Sequence, residues 1–191
     1  MKRSLATRIV PMLLALAAAG SPAAALADGK WTAGLHVGST TVDRLVEDSG
    51  AWWSRVDDSG TALGLSIAYD YSPLLGIRLM YERAASIGAQ NVCPPDATCP
   101  AVAISEEVDL SSWQVAVVPR LALGPDWSLF GTLGGMRWKL HEDNVLPGDS
   151  GTDFVYGLGL AWRTGRVQLG LEYQRTGIDS DTFRVNAGLR F

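Results

Sequence analysis

Apolar and polar residues alternate along the chain in segments of about ten residues, each bounded by Gly, Pro, Asp or Ser. Alternation with a period of two predicts β-strands whose two faces meet different surroundings. Eight such segments run approximately over 30–39, 61–71, 75–85, 107–121, 127–140, 153–163, 166–176 and 182–191. No solenoid-type repeat, low-complexity tract or linker divides them, so we predict one all-β domain of eight antiparallel strands.

One face of these segments is apolar and the other is small or polar. In the last two segments the apolar set is Val167, Leu169, Leu171, Tyr173, Phe183, Val185, Ala187, Leu189 and Phe191. Their opposite faces carry Gln168, Gly170, Glu172, Arg184, Asn186, Gly188 and Arg190. A water-facing strand has no reason to accept glycine, which packs nothing and costs backbone entropy, whereas a narrow closed interior does. We therefore predict a transmembrane barrel with its apolar face outward.

The fifth segment permits either assignment of its two faces. We place Phe130, Met136 and Trp138 outward. This assignment turns Arg137 and Lys139 inward, away from lipid, where a charge is costly.

The connections and the aromatic residues support a membrane barrel. Short turns follow segments two, four and six, and loops of roughly a dozen to twenty residues follow segments one, three and five, which is typical of barrels with periplasmic turns and outer loops. Aromatic residues of the apolar face gather at the turn side (Trp31, Tyr71, Trp127, Trp162 and Phe191) and at the loop side (Tyr81, Trp113, Trp138, Phe154, Tyr173 and Phe183). This placement predicts two aromatic girdles at the level of the lipid headgroups.

The N-terminus predicts a secretory signal peptide. Three positive charges in residues 1–8 precede an apolar stretch over 9–19, and Ala25-Leu26-Ala27 forms an A-x-A cleavage site. We place cleavage after Ala27, which divides the chain into a signal peptide (1–27) and a barrel domain (28–191). Removing three basic residues and no acid lowers the formal charge from −4 to −7. This acidic product argues against nucleic acid as a partner.

The chain contains two cysteines, Cys93 and Cys99. In an exported protein, a pair this close predicts a disulfide that closes a short loop, with free thiols as the alternative. His36 and His141 are the two histidines, too few for a metal site with those cysteines. We expect no metal and no cofactor.

The end of the chain carries a family resemblance. The seventh segment contains Leu171-Glu172-Tyr173-Gln174, and the last ends in Gly188-Leu189-Arg190-Phe191. With the strand pattern, these residues resemble the small outer-membrane β-barrel family typified by the OmpA membrane domain and the OmpX and Ail type proteins, a porin-like class. The resemblance implies an eight-stranded up-and-down barrel. It also implies that Phe191 is the C-terminal signal read by the barrel assembly machinery.

Barrels of this family usually have lumens filled by hydrogen-bonded charges. This sequence supplies Asp70, Arg78, Glu82, Arg120, Arg137, Glu172 and Arg184 for such a network. Hairpin geometry would bring Asp70 to Arg78, and Glu172 to Arg184 or Asn186. Buried charges must be paired to be tolerated, so we interpret the network as structural and the lumen as plugged. A narrow pore for small solutes is the alternative.

The predicted outer loops are acidic. The acidic residues are Asp43, Glu47, Asp48, Asp57, Asp58, Glu142, Asp143 and Asp149. A solvated polar surface is the simplest interpretation. The sharper hypothesis is that these carboxylates share divalent cations with lipopolysaccharide phosphates. Trp52-Trp53 offers either a contact patch for a host surface or neighbouring protein, or a cap on the barrel.

Together these features predict a monomeric outer-membrane protein with a structural or surface-interaction role, in adhesion or envelope integrity. Its partners would be outer-membrane lipid and lipopolysaccharide. A lipid A-modifying enzyme is a third hypothesis, because some small barrels carry a Ser/His pair with a carboxylate near the outer surface. Here His36 is predicted to face the lumen, and no serine is recognisable as a nucleophile. We therefore expect no enzyme.

Overall fold

The computed structural model describes residues 30–47, 53–92, 105–141, 150–177 and 180–191. These residues form eight strands: β1 (Trp31–Glu47), β2 (Trp53–Ser72), β3 (Leu75–Val92), β4 (Ser105–Ala122), β5 (Trp127–His141), β6 (Ser150–Thr164), β7 (Val167–Thr176) and β8 (Ser180–Arg190). Within the described ranges, no helix is long and apolar enough to cross a membrane. The predicted signal peptide (1–27) and the predicted Cys93–Cys99 disulfide lie outside the described residues.

Each strand pairs antiparallel with the next strand in the sequence, and β1 also pairs with β8. The closing ladder runs from Thr32 opposite Arg190 to Val42 opposite Ser180. Closure removes the free edges that an open sheet would present. The predicted eight-stranded antiparallel barrel is confirmed.

The outer surface of the barrel is an apolar belt. Large hydrophobic side chains are exposed on each strand from β2 to β8, for example Leu65, Ile77, Val115, Leu133, Leu158, Leu171 and Val185. Soluble monomers rarely expose contiguous apolar patches beyond several hundred Å². Lipid is the surrounding that such a belt requires, because lipid tails need no polar partner from the protein surface.

Short connections join the strands at one end of the barrel, which we call the turn end. Pro73 and Leu74 connect β2 to β3, and Gly165 and Arg166 connect β6 to β7. Gly165 has a φ of 55°, in the left-handed region that a two-residue hairpin turn requires. The short turns predicted after the second and sixth strands are therefore present.

The strands at the opposite end, the loop end, are longer than predicted. β1 continues to Glu47 and β2 begins at Trp53, so residues 48–52 alone connect them. The prediction of a long first loop was wrong, because a strand that rises above the hydrocarbon meets water on both faces and needs no apolar alternation to continue its ladder. A strand crosses a membrane in about 9–11 residues. Since β1 to β4 contain 17, 20, 18 and 18 residues, they project beyond the membrane. We call residues 43–47, 53–58, 85–92 and 105–109 the outer wall.

The faces of β5 are opposite to the prediction. Phe130, Met136 and Trp138 are buried inside the barrel, whereas Arg137 and Lys139 are exposed outside it. In the ladder between β4 and β5, inward residues of β4 stand directly opposite the three buried side chains, and opposite residues share a face. The prediction failed because it assumed that every charge in the strand must avoid hydrocarbon. Arg137 and Lys139 lie near the loop end, where lipid headgroups accept charge.

Candidate functional site

An ion pair between Arg78 on β3 and Glu172 on β7 crosses the middle of the barrel interior. Arg78 Nη1 donates to Glu172 Oε2 at 2.9 Å and Nη2 donates to Oε1 at 2.5 Å. The Thr132 hydroxyl donates to Oε1 at 2.7 Å, and Asn186 Nδ2 lies 3.5 Å from Oε2. Glu172 is 1% exposed. This bidentate pair therefore lies in a dry environment, where removal of either partner leaves an uncompensated charge.

A second cluster joins His36, Glu82 and Arg184. His36 Nε2 lies 3.1 Å from Glu82 Oε2, and Arg184 Nη2 lies 3.4 Å from the same oxygen. Arg184 Nη1 also lies 2.9 Å from Met80 Sδ. Gly64 provides the space for the imidazole, because a Cβ at this position would lie 2.2 Å from His36 Nε2. The sequence predicted that His36 faces the lumen, and it does.

The predicted contact between Glu172 and Asn186 is present, but the ion-pair partners in these clusters differ from the hairpin pairings that the sequence predicted. Glu172 is opposite Arg184 in the ladder between β7 and β8. Its bidentate partner is instead Arg78 from the far wall, and Arg184 reaches Glu82. In a narrow closed barrel, long inward side chains meet across the axis as readily as along a hairpin.

Neutral polar pairs fill the interior on the loop-end side of the charges. Gln174 Nε2 donates to Gln114 Oε1 at 2.9 Å, and the hydroxyls of Thr40 and Thr182 lie 2.9 Å apart. All four residues are buried. Sequence analysis did not single them out, because a polar inward residue looks the same whether its partner is water or a side chain.

An apolar layer closes the interior towards the loop end. It consists of Val42, Ala62, Ala84, Ile87, Leu110, Met136, Trp138 and Val155. The Trp138 indole donates to Asp153 Oδ2 at 2.6 Å. Gly151 leaves room for this ring, since a Cβ at Gly151 would lie 2.7 Å from Trp138 Cζ2. The layer was missed in the sequence because the assignment of β5 turned two of its members outward.

At the turn end, Asp70 pairs with Arg120 and not, as predicted, with Arg78. Arg163 and Arg190 also point towards this carboxylate. Sequence analysis did not place either of them in the charge network. Arg163 follows Trp162 at the end of a strand, so its inward direction was readable from the alternation.

Of the seven residues predicted for the charge network, Arg137 alone does not face the interior. It is exposed on the outer surface of β5, as described above. The other six residues, Asp70, Arg78, Glu82, Arg120, Glu172 and Arg184, all face inward and all take part in ion pairs. The network is therefore divided between the turn end and the middle of the lumen.

Space inside the middle of the barrel is small. A cavity of about 50 Å³ adjoins Arg78 and Phe130, and another of about 10 Å³ adjoins Gln114 and Arg184. One ordered water needs about 10–15 Å³. These cavities hold at most a few waters.

The outer surface offers less defined chemistry. Asp43 is exposed, and it lies opposite Asp57 in the ladder between β1 and β2. In the described part of the chain, no group of three or more His, Cys, Asp or Glu side chains is placed to hold a metal ion. Trp52, Asp48, Glu142, Asp143 and Asp149 lie outside the described residues. Phe191 donates its backbone N–H to Trp31 at 3.0 Å, and its role as an assembly signal stays a prediction.

Comparison with protein families gives one clear match. Residues 11–191 match the model of the outer membrane protein beta-barrel domain. A comparison with curated proteins gave no match.

Solved structures of small barrels share the fold. Ail of Yersinia pestis, in complex with the heparin analogue sucrose octasulfate, is 19% identical with a TM-score of 0.50, over 85% of this chain and 99% of that chain. Neisserial surface protein A is 12% identical with a TM-score of 0.56, over 86% and 98%. OprG from Pseudomonas aeruginosa is 12% identical with a TM-score of 0.55, over 84% and 94%. At these identities the likeness shows the fold alone.

Proposed function

Because this chain belongs to the outer membrane protein beta-barrel family, we propose that it is an outer-membrane barrel with a plugged lumen and a structural or surface-interaction role, in adhesion or envelope integrity. The turn end faces the periplasm and the loop end faces outward, as in barrels with short periplasmic turns.

The burial of the inward polar side chains is the observation that carries the plugged lumen. Thr132, Glu172, Gln174 and Arg184 are 0%, 1%, 1% and 2% exposed. Side chains that line a water-filled channel would be accessible to solvent. Here the apolar layer covers these side chains towards the loop end, and other inward residues cover them towards the turn end. This burial supports a packed interior over a conducting one.

Bilayer conductance tests this part of the proposal. The purified protein, inserted in a planar bilayer, should show no steady open-channel current. A matched variant, Arg78→Ser/Glu172→Ser/Trp138→Ala, removes the central pair and the largest side chain of the apolar layer, and it should conduct. Regular open-channel currents from the wild-type protein would favour the narrow pore and contradict the plugged lumen.

The outer wall supports a role at the surface. On β2, a strand of 20 residues, the outer wall comprises residues 53–58, which at about 3.3 Å per residue extend about 20 Å beyond the rest of the strand. A surface whose backbone is already paired in a sheet avoids much of the entropy cost of ordering a loop on binding. We therefore propose that partners are contacted by the outer wall.

The β1–β2 part of the outer wall can be removed without shortening the ladder that closes the barrel, because β1 pairs with β8 only as far as Val42. Val42 and Asp58 are opposite each other, so residues 43–57 can be replaced by an Asn-Gly turn, which favours a tight hairpin. A deletion strain would be complemented with this variant or with the wild-type gene and scored for adhesion, envelope permeability and lipid A composition. We expect that the shortened variant, produced at the same level as the wild-type protein, does not restore adhesion or normal envelope permeability to the deletion strain. Full complementation by the shortened variant would exclude the β1–β2 part of the outer wall as the contact surface. Lipid A that differs between the two complemented strains would favour the enzyme.

We also propose that lipopolysaccharide phosphates contact basic residues at the loop end. Arg83, Arg137 and Lys139 are exposed, and Arg83 and Lys139 each stand opposite Ser111 in neighbouring ladders. They are therefore about 10 Å apart across two strand spacings. The variant Arg83→Gln/Arg137→Gln/Lys139→Gln should lose the extra thermal stability that lipopolysaccharide gives in vesicles, while Arg166→Gln at the turn end should keep it.

The hypothesis that acidic residues share divalent cations with lipopolysaccharide has a separate test. Equal thermal stability of the wild-type protein with and without Mg²⁺ in vesicles that contain lipopolysaccharide would contradict it.

A further inference from the structure

Three arginines surround a single carboxylate at the turn end of the barrel. Arg120 donates a hydrogen bond to Asp70 Oδ1. Arg190 Nη2 and Arg163 Nη2 lie 3.6 Å and 3.9 Å from Asp70 Oδ2. Both distances exceed the normal hydrogen-bond range of about 2.7–3.2 Å. Asp70 therefore accepts a hydrogen bond from one guanidinium and interacts with the other two only through charge.

The cluster carries an excess of two positive charges. Asp70 neutralises Arg120, which leaves Arg163 and Arg190. The same space is also lined by Lys30 and Asp126, whose formal charges cancel. Arg163 Nη2 and Arg190 Nε are shielded from solvent and have no hydrogen-bond acceptor among the described residues. Buried donors without acceptors are costly, so an additional oxygen ligand here would be stabilised.

The arginines surround an open space and not a packed core. The cavity at the turn end has a volume of about 480 Å³, within the range of small-molecule sites, about 300–1,000 Å³. Val118, Phe130 and Ala161 form an apolar cluster in this half of the interior. Gly76 leaves room for the carboxylate, because a Cβ at this position would lie 3.1 Å from Asp70 Oδ1. We call this cavity the basic vestibule.

We propose that the basic vestibule binds a phosphate-bearing small molecule that enters from the turn end. Guanidinium groups match the geometry of phosphate oxygens and hold them in bidentate contacts. A phosphate dianion balances the two excess charges and supplies acceptors for both arginines, while Asp70 keeps Arg120 oriented. On the orientation proposed above, the vestibule faces the periplasm.

Calorimetric titration with inorganic phosphate tests the proposal, using protein purified from membranes in uncharged detergent micelles, with sodium chloride at matched ionic strength as the blank. The wild-type protein should bind one phosphate per barrel. The variant Arg163→Gln/Arg190→Gln should bind at least about tenfold more weakly, because it loses two charge-assisted contacts. Arg166→Gln removes an exposed arginine from the adjacent turn and should bind as wild type. Equal weakening by Arg166→Gln would overturn the proposal.

A variant of opposite sign separates binding from folding. Asp70→Asn removes the competing carboxylate and should tighten phosphate binding, which a purely structural role of the cluster does not predict. Unchanged or weaker binding by Asp70→Asn would overturn the proposal, whatever the behaviour of the double variant. Phosphatidylglycerol vesicles provide the last arm. If they bind and inorganic phosphate does not, the ligand is a lipid headgroup and the small-molecule site is rejected.

Discussion

Glu172→Gln should be among the most destabilising substitutions that leave the shape of a side chain unchanged. The glutamine keeps the volume of Glu172 and an oxygen acceptor, but it leaves the Arg78 guanidinium without a counter-ion in the closed interior. The variant loses the charge that strengthens two hydrogen bonds from Arg78 and one from Thr132, and its amide nitrogen cannot accept from Arg78. Breaking a buried ion pair in this way costs about 3–5 kcal/mol.

Urea titration of the protein in lipid vesicles measures this cost, with tryptophan fluorescence and electrophoretic mobility as two probes of folding. A double-mutant cycle isolates the pair. Arg78→Met should cost a similar amount because it strands the glutamate, whereas Arg78→Met/Glu172→Met should cost less than either single variant, since two apolar side chains need no pairing.

A cost of less than about 1 kcal/mol for Glu172→Gln, the value expected of an exposed pair, would contradict the burial of the pair. Such a result would mean that water reaches the pair in the membrane. It would count against both the plugged lumen and the dry environment of the ion pair.

Two further predictions each compare a substitution at a crowded or buried position with a control at an open or exposed one. Gly159→Ala should destabilise the barrel by about 1–3 kcal/mol, because its Cβ would lie 2.2 Å from Phe130 Cζ, whereas Gly135→Ala meets nothing closer than 4.0 Å and should be nearly neutral in the same urea titration. Trp138→Ala should cost about 3–5 kcal/mol as a buried aromatic, and Arg137→Ala less than about 0.5 kcal/mol as a surface residue. The reverse order in thermal or urea unfolding would restore the original assignment of β5.

The faces of the last strands were predictable because their alternation is uninterrupted. Leu169, Leu171 and Tyr173 are exposed, while Glu172 and Gln174 between and beside them are buried. A slip by one residue would turn charged side chains to lipid at about 2–4 kcal/mol for an arginine at midplane. The physical penalty and the sequence pattern therefore agree.

The fifth strand could not be assigned in the same way. Gly131, Gly134 and Gly135 dilute its apolar signal on both faces. Charge was then used to decide, and charge is a reliable guide only within the hydrocarbon. Arg137 and Lys139 are exposed near the loop end of β5, so the rule gave the wrong face.

The ion pairs could not be predicted from the pairing of neighbouring strands. Arg78 and Glu172 are 94 residues apart and belong to strands that are not neighbours. Their contact depends on barrel closure and on the register of every ladder between them. Sequence alternation shows that both residues face inward, but it contains no information about which inward residues lie at the same height.

The distribution of charge along the lumen follows from where water reaches. In the dry middle, Arg78 is matched by Glu172 and Arg184 by Glu82, because an unpaired charge there would cost several kcal/mol. At the turn end the cavity is open, and Arg163 and Arg190 keep part of their side chains exposed to it. Water therefore solvates part of the excess charge, and a surplus that the middle would not tolerate persists although two donor atoms stay shielded. Stability and ligand binding are therefore carried by different parts of one interior. Substitutions in the middle of the lumen should change the free energy of unfolding, and substitutions in the basic vestibule should change the affinity for an anion.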